Sequence, residues 1–466
     1  MSVRRRVRAL AAAPLLLVTA GALPPPSAFH TRLTAAYPAP DAAHEAPIHE
    51  VRLRFSTAVQ PSLSAITVRG PGGTVEAGPV ETVAGSEATE LRVRLSRPLD
   101  AGAYTVEWRT AGPDSHVLGG SYGFSVVGGP PAAVQGPPAP PAPQDTETVA
   151  APGEQTLELV PTGMDEEAPR PSAREIATGW IFLVSLVGMI GTVGFRLVVV
   201  GPFGAVEAQA EAGARARRGT AFLAALAVGL GFVALPMRLL VQAGEVAGPG
   251  GSSLAAAGRL LGTPWGSAWI LQGSGIVLFL VGLLVGRGKP EARGPWLVSG
   301  LGAVLVALVP GLSGHAAAAG AALVGLDLVH VLAAGTWLGG LACLVLAGIP
   351  ATARPGEPLA VAPLVARFSA LALPAVAVLV LTGVANAVDR VTLGELFSSA
   401  YGRTLLLKVV VAGGAFSLGF YNWRTVRPAL EQGGPPGLLR IPATLEMVAG
   451  LLVLVITAAL IATGLP

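Results

Sequence analysis

TGWIFLVSLVGMIGTVGFRLVV, residues 178–199, carries one charge, Arg196, in an otherwise apolar run. A bilayer core takes about 20 apolar residues to cross as a helix. A helix apolar on all faces belongs in lipid or in a large core. The stretch therefore predicts a membrane span, and seven more follow it. They lie at approximately 219–240, 264–286, 295–314, 321–348, 369–388, 403–422 and 441–464. Abundant Gly and Ala inside these runs permits close helix packing.

Composition agrees: the 466 residues are 52% hydrophobic and 13% charged, about half the charge of a soluble domain. The net charge of +3 does not indicate nucleic-acid binding, because the basic residues gather in short loops between the apolar runs. Arg215, Arg217 and Arg218, then Arg287, Lys289 and Arg293, then Arg354 and Arg367, then Arg424, Arg427 and Arg440 occupy the odd-numbered loops. Cytoplasmic loops carry such an excess. The even loops hold Arg259 and Arg390, flanked by Arg238 and Arg403. This predicts a multi-pass protein of the cytoplasmic membrane with its amino-terminal part extracytoplasmic.

Residues 1–28 read as an export signal. Arg4, Arg5, Arg6 and Arg8 precede the apolar stretch Leu10–Ala22, too short to span. Cleavage after Ala22 or after Ala28 are both open, as is an uncleaved anchor. Residues 29–127 then alternate with period two. Val51, Leu53 and Phe55 interleave with Arg52 and Arg54, and Leu91, Val93 and Leu95 with Arg92 and Arg94. Tyr104, Val106 and Trp108, then Tyr122, Phe124 and Val126, continue the pattern between Gly and Pro clusters. Short strands so spaced predict a small antiparallel sandwich or barrel. From residue 128 to 173 the alternation stops. Eleven prolines and seven acidic residues between Gly128 and Ser172 predict a solvated linker without a core. The fold class is therefore two-part, a small all-β module followed by an all-α membrane domain, residues 174–466, of about eight helices.

The single cysteine, Cys343, lies in an apolar run and excludes an intramolecular disulfide. Six histidines in so long a chain make each worth placing. Asp114-Ser115-His116 falls between two strands, where an oxygen and a nitrogen donor can project together toward Cu(II) or Zn(II). A turn-capping Asp beside an exposed His is the alternative. His30 offers another nitrogen at the module's beginning, whereas His44 and His49 read as surface residues. In the spans, His315 ends the fourth at the outer face. His330 lies about two turns into the fifth, with Asp327 at i−3 as a carboxylate able to orient the imidazole. Trp337, at i+7, continues that stripe. Ionisable groups in lipid are costly and mark pathways; helix packing by His330 and a snorkelling Asp327 is the other reading. Lys408 is expected to snorkel or to pair with a carboxylate. Glu446 and Met447 read as core, or as an exit site with Met189 or Cys343.

His30-Thr31-Arg32-Leu33, Pro38-Ala39-Pro40 and Glu50-Val51-Arg52-Leu53-Arg54-Phe55-Ser56 resemble the opening of CopC-type copper-binding domains. Residues Asp114 to Phe124, DSHVLGGSYGF, resemble their closing segment. The resemblance implies a cupredoxin-like (Ig-like) β-sandwich with Cu(II) held by His30, Asp114 and His116. One departure is that Phe29 precedes His30, so neither cleavage makes His30 the first residue. No Met falls between Met1 and Met164, so the family's Met-rich Cu(I) site is absent. The membrane half resembles the CopD family through Ser313-Gly314-His315, Asp327-Leu328-Val329-His330, Trp337-Leu338-Gly339-Gly340, Arg367-Phe368-Ser369, Thr382-Gly383 and Tyr401-Gly402-Arg403 continuing to Lys408.

Together these imply a CopC–CopD fusion. Copper would bind outside the membrane and cross it inward, with His315 and His330 as metal ligands and Asp327 and Trp337 beside the pathway. No phosphate-binding loop is visible, so ATP is not expected to drive transport, and no enzymatic activity is expected. The partners are copper ion and the lipid bilayer, with no nucleic acid. Resistance by sequestration without flux, and a haem-containing copper reductase using His315 and His330, are the alternatives.

Overall fold

The computed structural model describes residues 31–45, 47–112, 117–128, 157–160, 171–248, 251–314, 320–352 and 361–463. The expected export signal, His30, Asp114, His116 and His315 lie outside the described residues.

The amino-terminal module is a sandwich of two five-stranded sheets. One sheet runs β10 (Glu158–Leu159), β1 (Leu33–Tyr37), β3 (Glu50–Phe55), β7 (Glu90–Arg94), β6 (Glu81–Thr82). The other runs β2 (Ala43–Glu45), β9 (Val117–Val127), β8 (Gly102–Ala111), β4 (Ala65–Gly70), β5 (Gly73–Thr74). Pairing is antiparallel except between β2 and β9. The sandwich thus replaces the sandwich-or-barrel alternative.

Alternation explains the register. Val51 pairs with Val93 and Leu53 with Leu91, all buried, so these side chains share the inner face. The same register sets Arg52 opposite Arg92 on the outer face, where like charges repel. Acids between them relieve this: Glu50 lies 3.2 Å from Arg52, Glu81 3.2 Å from Arg92, and Glu90 3.0 Å from Arg54. Across the core, Trp108 meets Phe55 edge-on at 5.4 Å between centroids. The indole lies over Gly120, where a Cβ would stand 2.9 Å from Cζ2.

Two expectations are corrected. The segment read as a structureless linker contributes β10, with Leu159 opposite Ala35 and the Val160 N–H donating to Thr34 at 3.0 Å. Val160 also packs on the sandwich core. A two-residue strand, Glu158–Leu159, suffices to pair an open sheet edge, even inside a Pro-rich stretch. His44 is half-buried, not a free surface residue. Its Nε2 accepts the Ala39 N–H at 2.9 Å, and its ring stands edge-on to Tyr37 and Phe124.

Among the described residues, eight helices are long and apolar enough to cross a membrane. They are α1 (Ala173–Phe203), α2 (Glu207–Ala247), α4 (Pro264–Gly286), α5 (Gly294–Leu312), α6 (Ala321–Thr352), α7 (Val361–Arg390), α8 (Ala400–Glu431) and α9 (Gly437–Thr463). Ser172 starts α1 with a capping box: its hydroxyl accepts the Glu175 N–H, and the Glu175 carboxylate accepts its N–H. Helix α1 is the hub, packed against α2, α5, α6 and α9. Its crossing with α6 needs glycine on both sides, because a Cβ on Gly191 would meet the Gly339 backbone at 2.2 Å. Exposed apolar side chains such as Phe222, Leu381, Val410 and Ile441 cover the outer faces, as a lipid-facing surface requires.

A short helix between α2 and α4, α3 (Ser253–Leu261), has no counterpart in the sequence reading. It buries Ala256, Ala257 and Leu260 against Leu63, Ala111 and Val117 of the sandwich, with Trp265 of α4 alongside. Arg109 of β8 donates to the Glu245 carbonyl at the end of α2. The sandwich is therefore seated on one end of the bundle. Arg215, Arg217 and Arg218 in the first turns of α2, and the α4–α5 connection with Arg287, Lys289 and Arg293, lie at the other end, joined by the Arg217–Glu291 ion pair at 2.7 Å.

Candidate functional site

Between the sandwich and the bundle lies a cavity of about 340 Å³. Val117, the first residue of β9, forms part of its roof. Its walls include Arg238 of α2, Trp265 of α4, Asp327 and His330 of α6, Asn386 and Arg390 of α7, and Tyr401 and Lys408 of α8. His330 sits roughly 14 Å along α6 from Ala321, and Lys408 roughly 12 Å along α8 from Ala400, at 1.5 Å per residue.

His330 is held in one tautomer. Its Nδ1 lies 2.9 Å from the Thr382 Oγ1, and that hydroxyl itself donates to the Val378 carbonyl at 2.8 Å. A hydroxyl has one proton, so Thr382 accepts from Nδ1–H. Nε2 is left with its lone pair, the state in which imidazole ligates a metal. Among the described residues no three His, Cys, Asp or Glu side chains converge. His330 thus offers one nitrogen rather than a closed coordination sphere.

Asp327 does not orient His330. Both of its oxygens lie 2.9 Å from the Arg390 Nη2. A guanidinium within reach outcompetes a neutral imidazole for a carboxylate, because the contact is charge-assisted. Thr382 takes the place that the sequence reading assigned to Asp327.

Trp337 also departs from the expected stripe. Residues Gly335–Gly339 form a π-turn, which adds a residue to the helical repeat and rotates all that follows. The Trp337 Nε1–H donates to the Glu446 Oε1 at 3.1 Å, away from His330. Asn422, opening a second π-turn, donates to Glu446 Oε2 at 2.9 Å. Gly419 makes room, since a Cβ there would stand 2.8 Å from Oε1. Glu446 is 4% exposed, and its recorded partners are these two neutral donors. Lys408 has no hydrogen bond or ion pair to any described residue, so the carboxylate partner, one of the two expectations for it, is not met there.

Arg238 crosses the cavity wall over the Phe182 ring at 4.3 Å and donates to the Gln272 Oε1. Asn386 is 8% exposed, and its Oδ1 has no partner among the described residues. The sequence reading quoted Thr382 in the CopD resemblance and counted Arg238 and Arg390 as charges in or beside the even loops, but gave neither them nor Asn386 a place in the site. Thr382, Asn386 and Arg390 repeat every four residues through an apolar run, a polar stripe that marks an inward helix face.

Comparison with known proteins fits this division. Residues 33–127 match the family model described as CopC domain. Residues 173–323 match Copper resistance protein D-like, N-terminal domain, and residues 362–460 match Copper resistance protein D. Protein YobA of Escherichia coli (strain K12) is 31% identical over 113 residues, 24% of this chain and 90% of that protein. The chain belongs to the CopC–CopD family. Copper resistance protein C of Xanthomonas campestris pv. juglandis is 31% identical over 119 residues, 24% of this chain and 91% of that protein. Copper transport protein CutJ of Bacillus subtilis (strain 168) is 26% identical over 407 residues, 84% of this chain and 68% of that protein. Among solved structures, CopC from Methylosinus trichosporium OB3b is 29% identical over 21% of this chain and 95% of its own, with a TM-score of 0.20. The CopC–CopD chain is a multi-pass membrane protein of a copper resistance and transport family.

Proposed function

We propose that the chain imports copper. Cu(II) binds outside the cytoplasmic membrane at Asp114 and His116, with His30 as a further donor, and passes to His330 and then inward between the helices. The observation that carries this reading is the cavity itself. Its roof includes Val117, next in the chain to His116, and its wall includes His330 with Nε2 open. A single nitrogen at the second station suits a cargo that must leave again, since a complete ligand set would trap it. His315 follows Gly314 of the cavity wall in the chain and is the remaining imidazole for the transfer. The basic loops at the opposite end favour the sandwich side as the outside.

The test is uptake of radiolabelled copper by proteoliposomes carrying the full chain. His330→Ala is expected to abolish uptake while Cu(II) binding to the purified protein persists. His116→Ala should weaken that binding without unfolding the sandwich. Undiminished uptake by His330→Ala removes His330 from the path.

A further inference from the structure

Glu446 is a carboxylate that the copper path leaves without a task. It lies roughly 14 Å along α9 from Gly437, at the end opposite the sandwich, and roughly 16 Å short of Thr457 in the cavity wall. Trp337, one of its two donors, stands roughly 10 Å along α6 beyond His330. Glu446 is therefore placed between the cavity and the far end of the bundle. The backbone around it is bent to serve it. Trp337 and Asn422 each sit on a π-turn, Gly335–Gly339 and Asn422–Val426, and Gly419 leaves the space that Oε1 fills. Such turns interrupt the regular helix and gather at functional sites. An apolar residue at 446 would call for none of these concessions.

Among the described residues no cation pairs with Glu446. The helices packed on α9 are α1, α6 and α8. Arg196 of α1 donates to the Pro290 carbonyl, Cys343 of α6 is a buried thiol, and Arg427 and Glu431 of α8 pair with each other at 2.8 Å. Tyr421 and Arg424 of α8 and Arg440 of α9 are exposed. Glu175, Asp327, His330, Tyr401 and Lys408 line the cavity instead, and Arg174 and Arg403 begin their helices. A charged carboxylate this deep, held by neutral donors alone, is costly. The neutral acid is accommodated equally well. Asn422 Oδ1 is buried without a partner among the described residues. Half a turn of the amide about Cβ–Cγ brings Oδ1 to the place of Nδ2, 2.9 Å from Oε2, where it accepts the O–H of the acid. Trp337 keeps its bond to Oε1 in both states. One end of the amide stays unpaired in either orientation, so the exchange costs no hydrogen bond.

We propose that Glu446 is a proton-binding site through which protons are exchanged against copper. The inference rests on the copper path proposed above and names what moves against the cargo. With the path empty the site holds the neutral acid. A copper ion leaving His330 between the helices favours the carboxylate, because opposite charges attract strongly where little screens them. The O–H bond breaks with its electron pair left on Oε2, Asn422 turns Nδ2 back toward that oxygen, and the proton leaves to the cavity side. When the copper has passed, a proton from the opposite side restores the acid. One proton moves outward for each copper moving inward, with no change of oxidation state.

The experiment gives proteoliposomes of the full chain copper at a buffered free activity, with the membrane potential clamped at zero and the lumen about one pH unit more acid than the bath. A trapped indicator calibrated at each pH reads free copper inside. The measured quantity is the steady-state ratio of free copper inside to outside; protonation of the copper ligands alters the rate of approach but not this ratio. One-for-one exchange raises it about tenfold over vesicles without a pH difference. Glu446→Gln retains both hydrogen bonds, its amide standing in for the acid, yet carries no exchangeable proton, and its ratio is expected to ignore the gradient. An unsubstituted chain whose ratio ignores the gradient or falls with it, or a Glu446→Gln chain that still accumulates tenfold, overturns the inference and leaves copper transport standing. If no copper enters with the unsubstituted chain, the transport reading fails. Should either protein not transport, infrared difference spectra of the detergent-solubilised full chain decide the proton site. A protonated-carboxyl stretch that copper removes from the unsubstituted chain, and that Glu446→Gln lacks, supports it; no such band overturns it.

Discussion

Removing the Asp327 carboxylate tests which partner it serves. In Asp327→Asn, Arg390 loses a counter-ion held by two 2.9 Å contacts, between side chains only 14% and 25% exposed. Rupture of a fully buried pair costs about 3–5 kcal/mol, and a hydrogen bond to a charged group contributes about 1.5–3 kcal/mol net. With partial exposure at the cavity edge, the expected loss is about 2–3 kcal/mol, most of it from stranding the guanidinium. Arg390→Met in the same background should recover the greater part, giving a coupling of about 2 kcal/mol. The cycle between Asp327→Asn and His330→Ala should give a coupling under about 0.5 kcal/mol, because Thr382 holds the imidazole. Equilibrium unfolding of the full chain in detergent micelles measures all four corners. A larger coupling of Asp327 to His330 than to Arg390 would refute the assignment and restore the simpler i−3 reading.

Thr382→Val removes the acceptor that fixes the His330 tautomer. Copper uptake at limiting copper should fall by about tenfold, with stability changed by no more than about 1 kcal/mol; unaltered uptake would show that the hydroxyl sets nothing at Nε2. Leu260→Asp places a carboxylate in the apolar seat between α3 and the sandwich. It should cost that contact about 2–3 kcal/mol and open α3 to protease with the circular dichroism unchanged, whereas full protection would mean the seat is not a docking contact. Tyr122 is buried with a hydroxyl that has no partner among the described residues, and burial raises its phenol above the ordinary 10.0. The unfolded chain then ionises first. Stability is full below that ordinary value and falls as pH rises past it, by up to about 1.4 kcal/mol per unit. Denaturant unfolding should show this slope, and Tyr122→Phe should remove its share; an identical slope in both proteins would count against the buried phenol as its source.

Periodicity along the chain decided much of this architecture. Alternation at Val51, Leu53 and Phe55 and at Leu91 and Val93 is a local property that any strand must satisfy to bury one face, so both strands were legible. The eight apolar runs were legible for a similar reason: lipid accepts a helix only if its own residues are apolar and its backbone is internally bonded. The boundaries were less so. Helix α7 begins at Val361, ahead of the expected residue 369, because amphipathic turns at its end pack on neighbours instead of lipid.

Tertiary structure alone decided the partners. Asp327 and Arg390 are 63 positions apart, and nothing local distinguishes Arg390 from His330 as the mate of that carboxylate. Trp337 was placed by counting 3.6 residues per turn, and the π-turn at Gly335–Gly339 broke that count. Helix α3 and strand β10 are too short to announce themselves by period. Each exists because a surface already built elsewhere, the underside of the sandwich or the open edge of β1, offers it apolar contact or unpaired backbone groups. Sequence period records what each segment must bury, while the identity of what it is buried against belongs to the assembled chain.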